Sequence, residues 1–199
     1  MQATLQRLID RKVALDPTFV IHEDLTLNRT GVMPPGTADY FEHMPIGWRR
    51  GKMQALTDAS VPEDDVAYKE AFEQITRLLA EAHRRGIMIV PGTDTGGAFT
   101  LHRELELYQR IGMTPVEILA RATLETAQHT GRDQTLGSIE KGKAADFFLV
   151  PGDPTRERKA IKAIRMVVKD GIVYFPTEVY PKLGIKPFTT APTITAAAR

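Results

Sequence analysis

Residues 87–108, "IMIVPGTDTGGAFTLHRELELY", run from four consecutive apolar residues through Gly92, Asp94, Gly96 and Gly97 into a helical pattern. A short unbroken apolar run suits a strand buried on both faces, as in a parallel sheet with helices packed over it. The glycines that follow allow a tight turn, and the helix after them points its N-terminal amides back toward the turn. Asp94 therefore sits just beyond the carboxyl end of a buried strand, which is where α/β folds place ligands and reacting groups.

The segment upstream supports the same reading. Tyr68, Phe72, Ile75, Leu79 and Ala82 recur at intervals of three and four, so residues 60–85 read as an amphipathic helix. Ser60 and Glu63 have capping-box spacing at its start, and Gly86 is a C-terminal stop. Helix, tight glycine and buried strand make one αβ unit. Residues 1–17 read as another amphipathic helix entering a short strand. Residues 13–15 and 18–21 form an apolar, β-branched run interrupted by Asp16 and Pro17, as at a strand end bending into a loop. Residues 28–59 show no sustained period and carry several glycines and prolines; a connection of that length is more often functional than neutral.

Downstream, residues 101–111 read as a helix stopped by Gly112. Thr114, Pro115 and Glu117 open another that lasts to about Thr130. The character then changes. "GSIEKGKAADFFLV" reads as strand, charged glycine turn and strand, and "IRMVVKDGIVYF" as a hairpin in which residues 164–168 and 172–175 pair through Asp170 and Gly171. Residues 176–199 are punctuated by proline, which suits an extended wrap ending in a disordered tail.

With 199 residues and 42% hydrophobic content the chain can bury a sizeable core. Its 26 basic and 25 acidic residues leave a net charge of +1, too little to attract nucleic acid or an anionic membrane. Having no cysteine, the chain has no disulfide, thiolate metal site or cysteine nucleophile, which fits a reducing compartment such as the cytoplasm. The first residues lack the apolar core of a signal peptide. They also open inside a helical pattern, as expected for a piece of a longer protein whose own leader would lie elsewhere.

Asp94 has two readings from these residues alone: a ligand or proton carrier at a strand end, or an aspartate satisfying the amides of its own turn. A phosphate loop is disfavoured, because the glycine turn lacks the Lys-Ser/Thr of a P-loop and the spacing of a dinucleotide fingerprint. The histidines show neither H-x-H nor H-E-x-x-H spacing. His102, at the helix beside Asp94, is the one most placed to join a site, though a capping role is favoured. Tyr40, His43 and Trp48 concentrate aromatic and polar groups in the long loop, where they line a pocket or pack the loop down. Arg49, Arg50 and Lys52 read as a solvated cluster.

Four motifs in order, "PGTDTGG", "LHRELELYQRIGMTPVEILARATLETAQHTG", "LGSIEKGKAADFFLV" and "IRMVVKDGIVY", resemble the C-terminal part of the amidohydrolase superfamily, in its imidazolonepropionase-like and Xaa-Pro-dipeptidase-like branches. The resemblance covers roughly residues 87–175. It implies an α/β fold: the last two βα units of a (β/α)8 barrel over residues 1–135, C-terminal strands of a small β-sandwich over 136–175, and an extended wrap and tail over 176–199. It implies that Asp94 binds a divalent metal, zinc being favoured, and carries a proton during hydrolysis of an amide, cyclic amide or dipeptide. No other cofactor is implied. Tyr40, His43, Trp48, Thr95 and His102 become candidates to line the substrate pocket. The family's H-x-H pair, bridging lysine or glutamate and later histidine ligands have no counterpart here. The expectation is thus that this chain alone is inactive and holds no metal tightly, and that it partners a missing N-terminal half or itself. The contrasting expectation is a noncatalytic α/β module that holds a small anion or a partner chain at the glycine turn.

Overall fold

The computed structural model describes residues 2–96 and 98–193. Helix α1 (Gln2–Asp10) leads into an extended stretch at Leu15, which pairs in parallel with Ile89. Leu15 donates its amide to the Met88 carbonyl at 2.8 Å and accepts from the Val90 amide at 2.8 Å. The buried parallel strand expected at residues 87–90 is thus present as a single-residue bridge, with Ile87 and Ile89 fully enclosed.

Each extended segment feeds a helix. After Leu15 comes α2 (Phe19–Leu27); after Ile89 come the glycine turn and α5 (Ala98–Leu107). The extended reading of residues 18–21 is therefore corrected, since all but Thr18 are helical. The cause lies far along the chain. The Glu104 carboxylate accepts the Val20 amide at 2.7 Å and so satisfies one of the donors that a helix start leaves open, while Phe19 stacks on Phe72 at 5.0 Å between ring centres. Thr18 enters the helix from a left-handed conformation, with φ 46°.

Between the two units lie α3 (Ile46–Lys52), within the long loop, and α4 (Pro62–Arg84). Phe72, Leu79 and Ala82 of α4 pack with Phe19, Ile87, Ile89, Leu107 and Tyr108 in the main core. The capping box expected at Ser60 and Glu63 does not form. Val61 is the N-cap, and the Asp64 side chain accepts the Ser60 amide at 3.2 Å. Gly86 and Gly112 end their helices with φ of 77° and 100°, a left-handed geometry that favours glycine. α5 starts earlier than its periodicity suggests and tightens into a 3-10 turn over Tyr108–Ile111.

Helix α6 (Pro115–Ala120) carries the expected capping box between Thr114 and Glu117, and it runs through a π-helical turn, Arg121–Glu125, into α7 (Thr126–His129). Beyond it lies a three-stranded antiparallel sheet ordered β1 (Phe147–Leu149), β2 (Met166–Lys169), β3 (Ile172–Tyr174). The hairpin through Asp170 and Gly171 is present, Val168 facing Val173. No strand forms at residues 138–140. Ile139 stands 84% exposed there, with no neighbouring strand to receive it. The segment expected as an extended wrap instead coils into α8 (Pro176–Val179) and a 3-10 turn, Tyr180–Leu183. Ile185 and Phe188 beyond it pack in a second aromatic cluster with Tyr40, Met44 and Phe99. The tail's last residues, 194–199, and Gly97 of the glycine turn lie outside the described residues. Among those described, no helix is long and apolar enough to cross a membrane.

Candidate active site

The turn that carries Asp94 is held from behind. Tyr108 donates its hydroxyl to the Val90 carbonyl at 2.9 Å, and Arg121 donates a guanidinium N–H to the Ile89 carbonyl at 3.2 Å. Carbonyls that a longer sheet would pair are thus bound by two side chains from the following helices. Gly92 meets the neighbouring strand end so closely that a Cβ there would lie 2.2 Å from Asp16 Oδ1. Asp94 follows with φ 46°, a conformation that aspartate adopts more readily than most residues. Its carboxylate is exposed and has no partner among the described residues. The turn is closed instead by Thr93, whose hydroxyl donates to the Thr95 carbonyl at 3.0 Å. Among the described residues, no hydrogen bond ties the Asp94 side chain to its own turn.

Beside this turn is a cleft of about 220 Å³ lined by Asp24, Asn28, Trp48, Lys52, Thr95 and Gly96, among others. It brings together Trp48 and Thr95, two of the residues named as candidates from the sequence. Trp48 leans edge-on to Phe99 with ring centres 6.2 Å apart and keeps 45% of its surface open. Asp24, Asn28 and Lys52 were not anticipated. Asp24 holds the other two: Lys52 Nζ lies 2.5 Å from Oδ2, and Asn28 donates Nδ2 to Oδ1 at 3.1 Å. The four-residue spacing of Asp24 on α2 and Asn28 at its C-cap was a usable signal. Nothing in the sequence placed Lys52 against them.

The remaining candidates lie elsewhere. Tyr40 is buried, stacked on Phe99 at 5.4 Å with Lys162 Nζ 5.1 Å from its ring, and burial pushes its hydroxyl pKa up. His43 stacks on Phe188 at 3.8 Å, and its Nδ1 is hydrogen-bonded to the Lys186 carbonyl at 2.7 Å. Both tie the loop to the C-terminal segment. His102 lines a small apolar cavity of about 30 Å³ with Leu105, Ile118 and Ile161, a cavity that includes no residue of the Asp94 turn. Burial, and then the Lys162 charge, holds its pKa below the usual histidine value.

Charge on the other side of α5 is internally balanced. Arg103 grips Glu23 through two hydrogen bonds of 2.7 Å and reaches Glu106 at 3.0 Å, while Lys162 pairs with Glu106 as well. No group of three or more His, Asp or Glu side chains is gathered to hold a metal ion among the described residues. Asp94 offers one donor, and a divalent site takes three or four protein ligands. The donor set present does not fit a metal centre.

The sequence matches the amidohydrolase family over residues 52–174, a span that runs from α3 through the Asp94 turn to the last strand. The chain belongs to the amidohydrolase family. It is 39% identical over 154 residues to an imidazolonepropionase from Geobacillus kaustophilus, covering 72% of this chain and 30% of that protein. The chain thus spans under a third of the length of this relative. Its fold is similar to that of a Xaa-Pro dipeptidase crystallised with methionine in the active site, with TM-score 0.63 and 23% identity over 88% of this chain and 37% of the other. A prolidase complexed with N-methylphosphonate-L-proline superposes with TM-score 0.61 at 16% identity, covering 88% of this chain and 38% of its own. At these identities the likeness is one of fold.

Proposed function

We propose that this chain is the C-terminal part of an amidohydrolase that cleaves a carbon-nitrogen bond in a small amide, cyclic amide or dipeptide, with Asp94 as its proton carrier. Residues 1–135 then contribute the last two βα units of a (β/α)8 barrel, and residues 136–175 contribute strands to a β-sandwich. The observation that carries the reading is the exposed, unpartnered Asp94 carboxylate at a parallel strand end, in a chain of this family. Family membership favours this reading over a noncatalytic binding module.

The chemistry asked of Asp94 is modest. A water oxygen forms a bond to the carbonyl carbon, the carbon-nitrogen bond breaks, and one proton passes from the water to the departing nitrogen. A carboxylate within hydrogen-bond reach of both can accept that proton and return it. Exposure leaves the Asp94 carboxylate open to a substrate, and the bonds from Tyr108 and Arg121 hold the strand end from which it projects. A divalent metal, zinc by the family's pattern, belongs to the complete enzyme; the donors present here do not form its site, so no step is assigned to it.

The test joins the chain to the N-terminal part of a related amidohydrolase and follows release of the amine from amide and dipeptide substrates. Asp94→Asn keeps the shape and removes the proton-accepting charge, so kcat should fall by about 10² to 10⁴ with the fold unchanged by circular dichroism. Full activity of that variant overturns the assignment. The chain by itself should release nothing, and turnover by it alone would overturn the dependence on a second half.

A further inference from the structure

The hydroxyl of Tyr108 has one proton to give and two acceptors beside it. It donates to the Val90 carbonyl at 2.9 Å, and it also lies against the carboxyl of Glu104. The two residues are four positions apart where α5 runs into its 3-10 turn, so they share one face, and both are fully buried. Glu104 Oε2 accepts the Val20 amide at 2.7 Å, whereas Oε1 has no hydrogen bond among the described residues. A neutral carboxyl has an O–H of its own to donate to the Tyr108 oxygen, which leaves the Tyr108 proton for Val90. An ionised carboxylate only accepts. A hydrogen bond to it is roughly twice as strong as one between neutral groups, so the Tyr108 proton then turns to Glu104 and the Val90 carbonyl loses its donor.

We propose that Glu104 is a positioning residue for the Asp94 turn: protonated, it clasps the strand end through Tyr108, and ionised, it lets that end go. This rests on the proposed function for the importance of Asp94, which follows Val90 in the same turn. The release is local. Arg121 donates to the Ile89 carbonyl at 3.2 Å without involving Glu104, and the bridge between Leu15 and Ile89 stays paired, so what is freed begins at Val90. Charges from each packed element bear on the exchange. Burial pushes the Glu104 pKa up to about 7, the Phe19 and Val20 amides at the start of α2 and the Tyr108 hydroxyl offset this in part, and Asp16 at the end of the Leu15 strand adds to it. Burial, and then the Glu104 charge, pushes the Tyr108 pKa up, against Arg121 from the π-helical turn, so Tyr108 keeps its hydroxyl proton throughout. The exchange therefore falls close to neutral pH.

The carbonyl carbons of Val90 and Ile89 report the two clasps directly and need no turnover. Label the valine and isoleucine carbonyls of the 199-residue chain with carbon-13 and follow their resonances by NMR from about pH 5 to 9. A carbonyl carbon moves upfield when it loses a hydrogen bond, so Val90 should move upfield with a midpoint near pH 7, while Ile89 stays in place. Glu104→Gln keeps an acceptor for Val20 and an N–H for the Tyr108 oxygen, so it imitates the protonated acid, and Val90 should stay at its low-pH position throughout. Tyr108→Phe removes the donor, and Val90 should stay at the high-pH position throughout. A Val90 resonance in the unaltered chain that does not titrate overturns the proposal, and so does an Ile89 resonance that moves as far as Val90. A titration that persists in Glu104→Gln or in Tyr108→Phe overturns it as well, because another group then drives the change. Asp94→Asn should leave the Val90 titration unchanged, so the two proposals fail separately: the clasp falls on these resonances, and the catalytic assignment falls on the activity of the Asp94→Asn assembly.

Discussion

Glu104 joins two distant parts of the chain through a single carboxyl group. It is fully buried, its Oε2 accepts the Val20 amide, and its Oε1 has no partner among the described residues. Burial pushes its pKa up to about 7, against a partial offset from the Phe19 and Val20 amides. The folded state therefore holds this proton where the unfolded chain, near the ordinary value of 4.5, has released it. The contribution to stability is fully present below about pH 4.5 and is lost as pH rises through about 7. A shift of this size corresponds to something on the order of 3 kcal/mol. Glu104→Gln keeps an acceptor for Val20 and has no proton to lose, so urea melts from pH 5 to 8 should show that variant losing about one proton's worth of slope. An unchanged slope would mean that Glu104 is already ionised at pH 5. Gly92 offers a second test at this scale. A methyl group there meets the Asp16 carboxylate at 2.2 Å, and because Asp16 is exposed and can swing aside, Gly92→Ala should cost no more than about 1 kcal/mol. Adding Asp16→Ala removes the obstacle and should return most of that loss; two costs that simply add would show that Gly92 matters for another reason.

Elements whose cause is local were legible in the sequence. α4 follows from its apolar spacing, Gly86 and Gly112 from their place after basic or apolar helix ends, and the α6 start from Thr114 and Glu117 three residues apart. In that capping box Glu117 accepts the Thr114 amide at 2.7 Å, and the Thr114 hydroxyl accepts the Glu117 amide at 3.3 Å. Thr114→Ala should therefore cost about 1 kcal/mol in thermal or urea unfolding, and no change would mean that Pro115 alone sets the helix start. Elements whose cause is remote were not legible. Residues 19–21 carry β-branched and apolar side chains, and what makes them helical is a carboxylate 84 positions away. Residues 138–140 have strand composition, yet a strand needs a neighbour and none is beside them. The cleft divides in the same way. Trp48 and Thr95 stood out by type and position, whereas Asp24 and Lys52, 28 positions apart, acquire meaning only when the loop returns α3 to α2.

At the scale of the whole molecule, the three-stranded sheet buries only Val168 among its strand residues and leaves apolar side chains open on both faces. The register puts Phe147, Val168 and Val173 on one face, where Val168 is buried, and puts Phe148, Val167 and Tyr174 in a row across the other. On that second face Phe148 is 41% exposed, Tyr174 42%, and Ile172, paired with Lys169, 56%. A small sheet with an apolar outer face is stable when a second sheet packs on it about 10 Å away, and in the proposed complete enzyme that sheet belongs to the β-sandwich. Without it the row is a sticky surface with free edges at β1 and β3. The purified chain should accordingly associate with itself at micromolar to millimolar concentration, giving a weight-average mass in sedimentation equilibrium that rises above 22.1 kDa as concentration increases. Phe148→Lys with Tyr174→Lys places two charges in the middle of the row and should return the chain to a monomer without altering α4 or the core around Phe72, which the helical circular dichroism would show. A parent chain that stays monomeric across that range would mean that the outer face tolerates water, and the case for a covering second sheet would lose its physical basis. Self-association that survives both lysines would instead locate the contact at another surface.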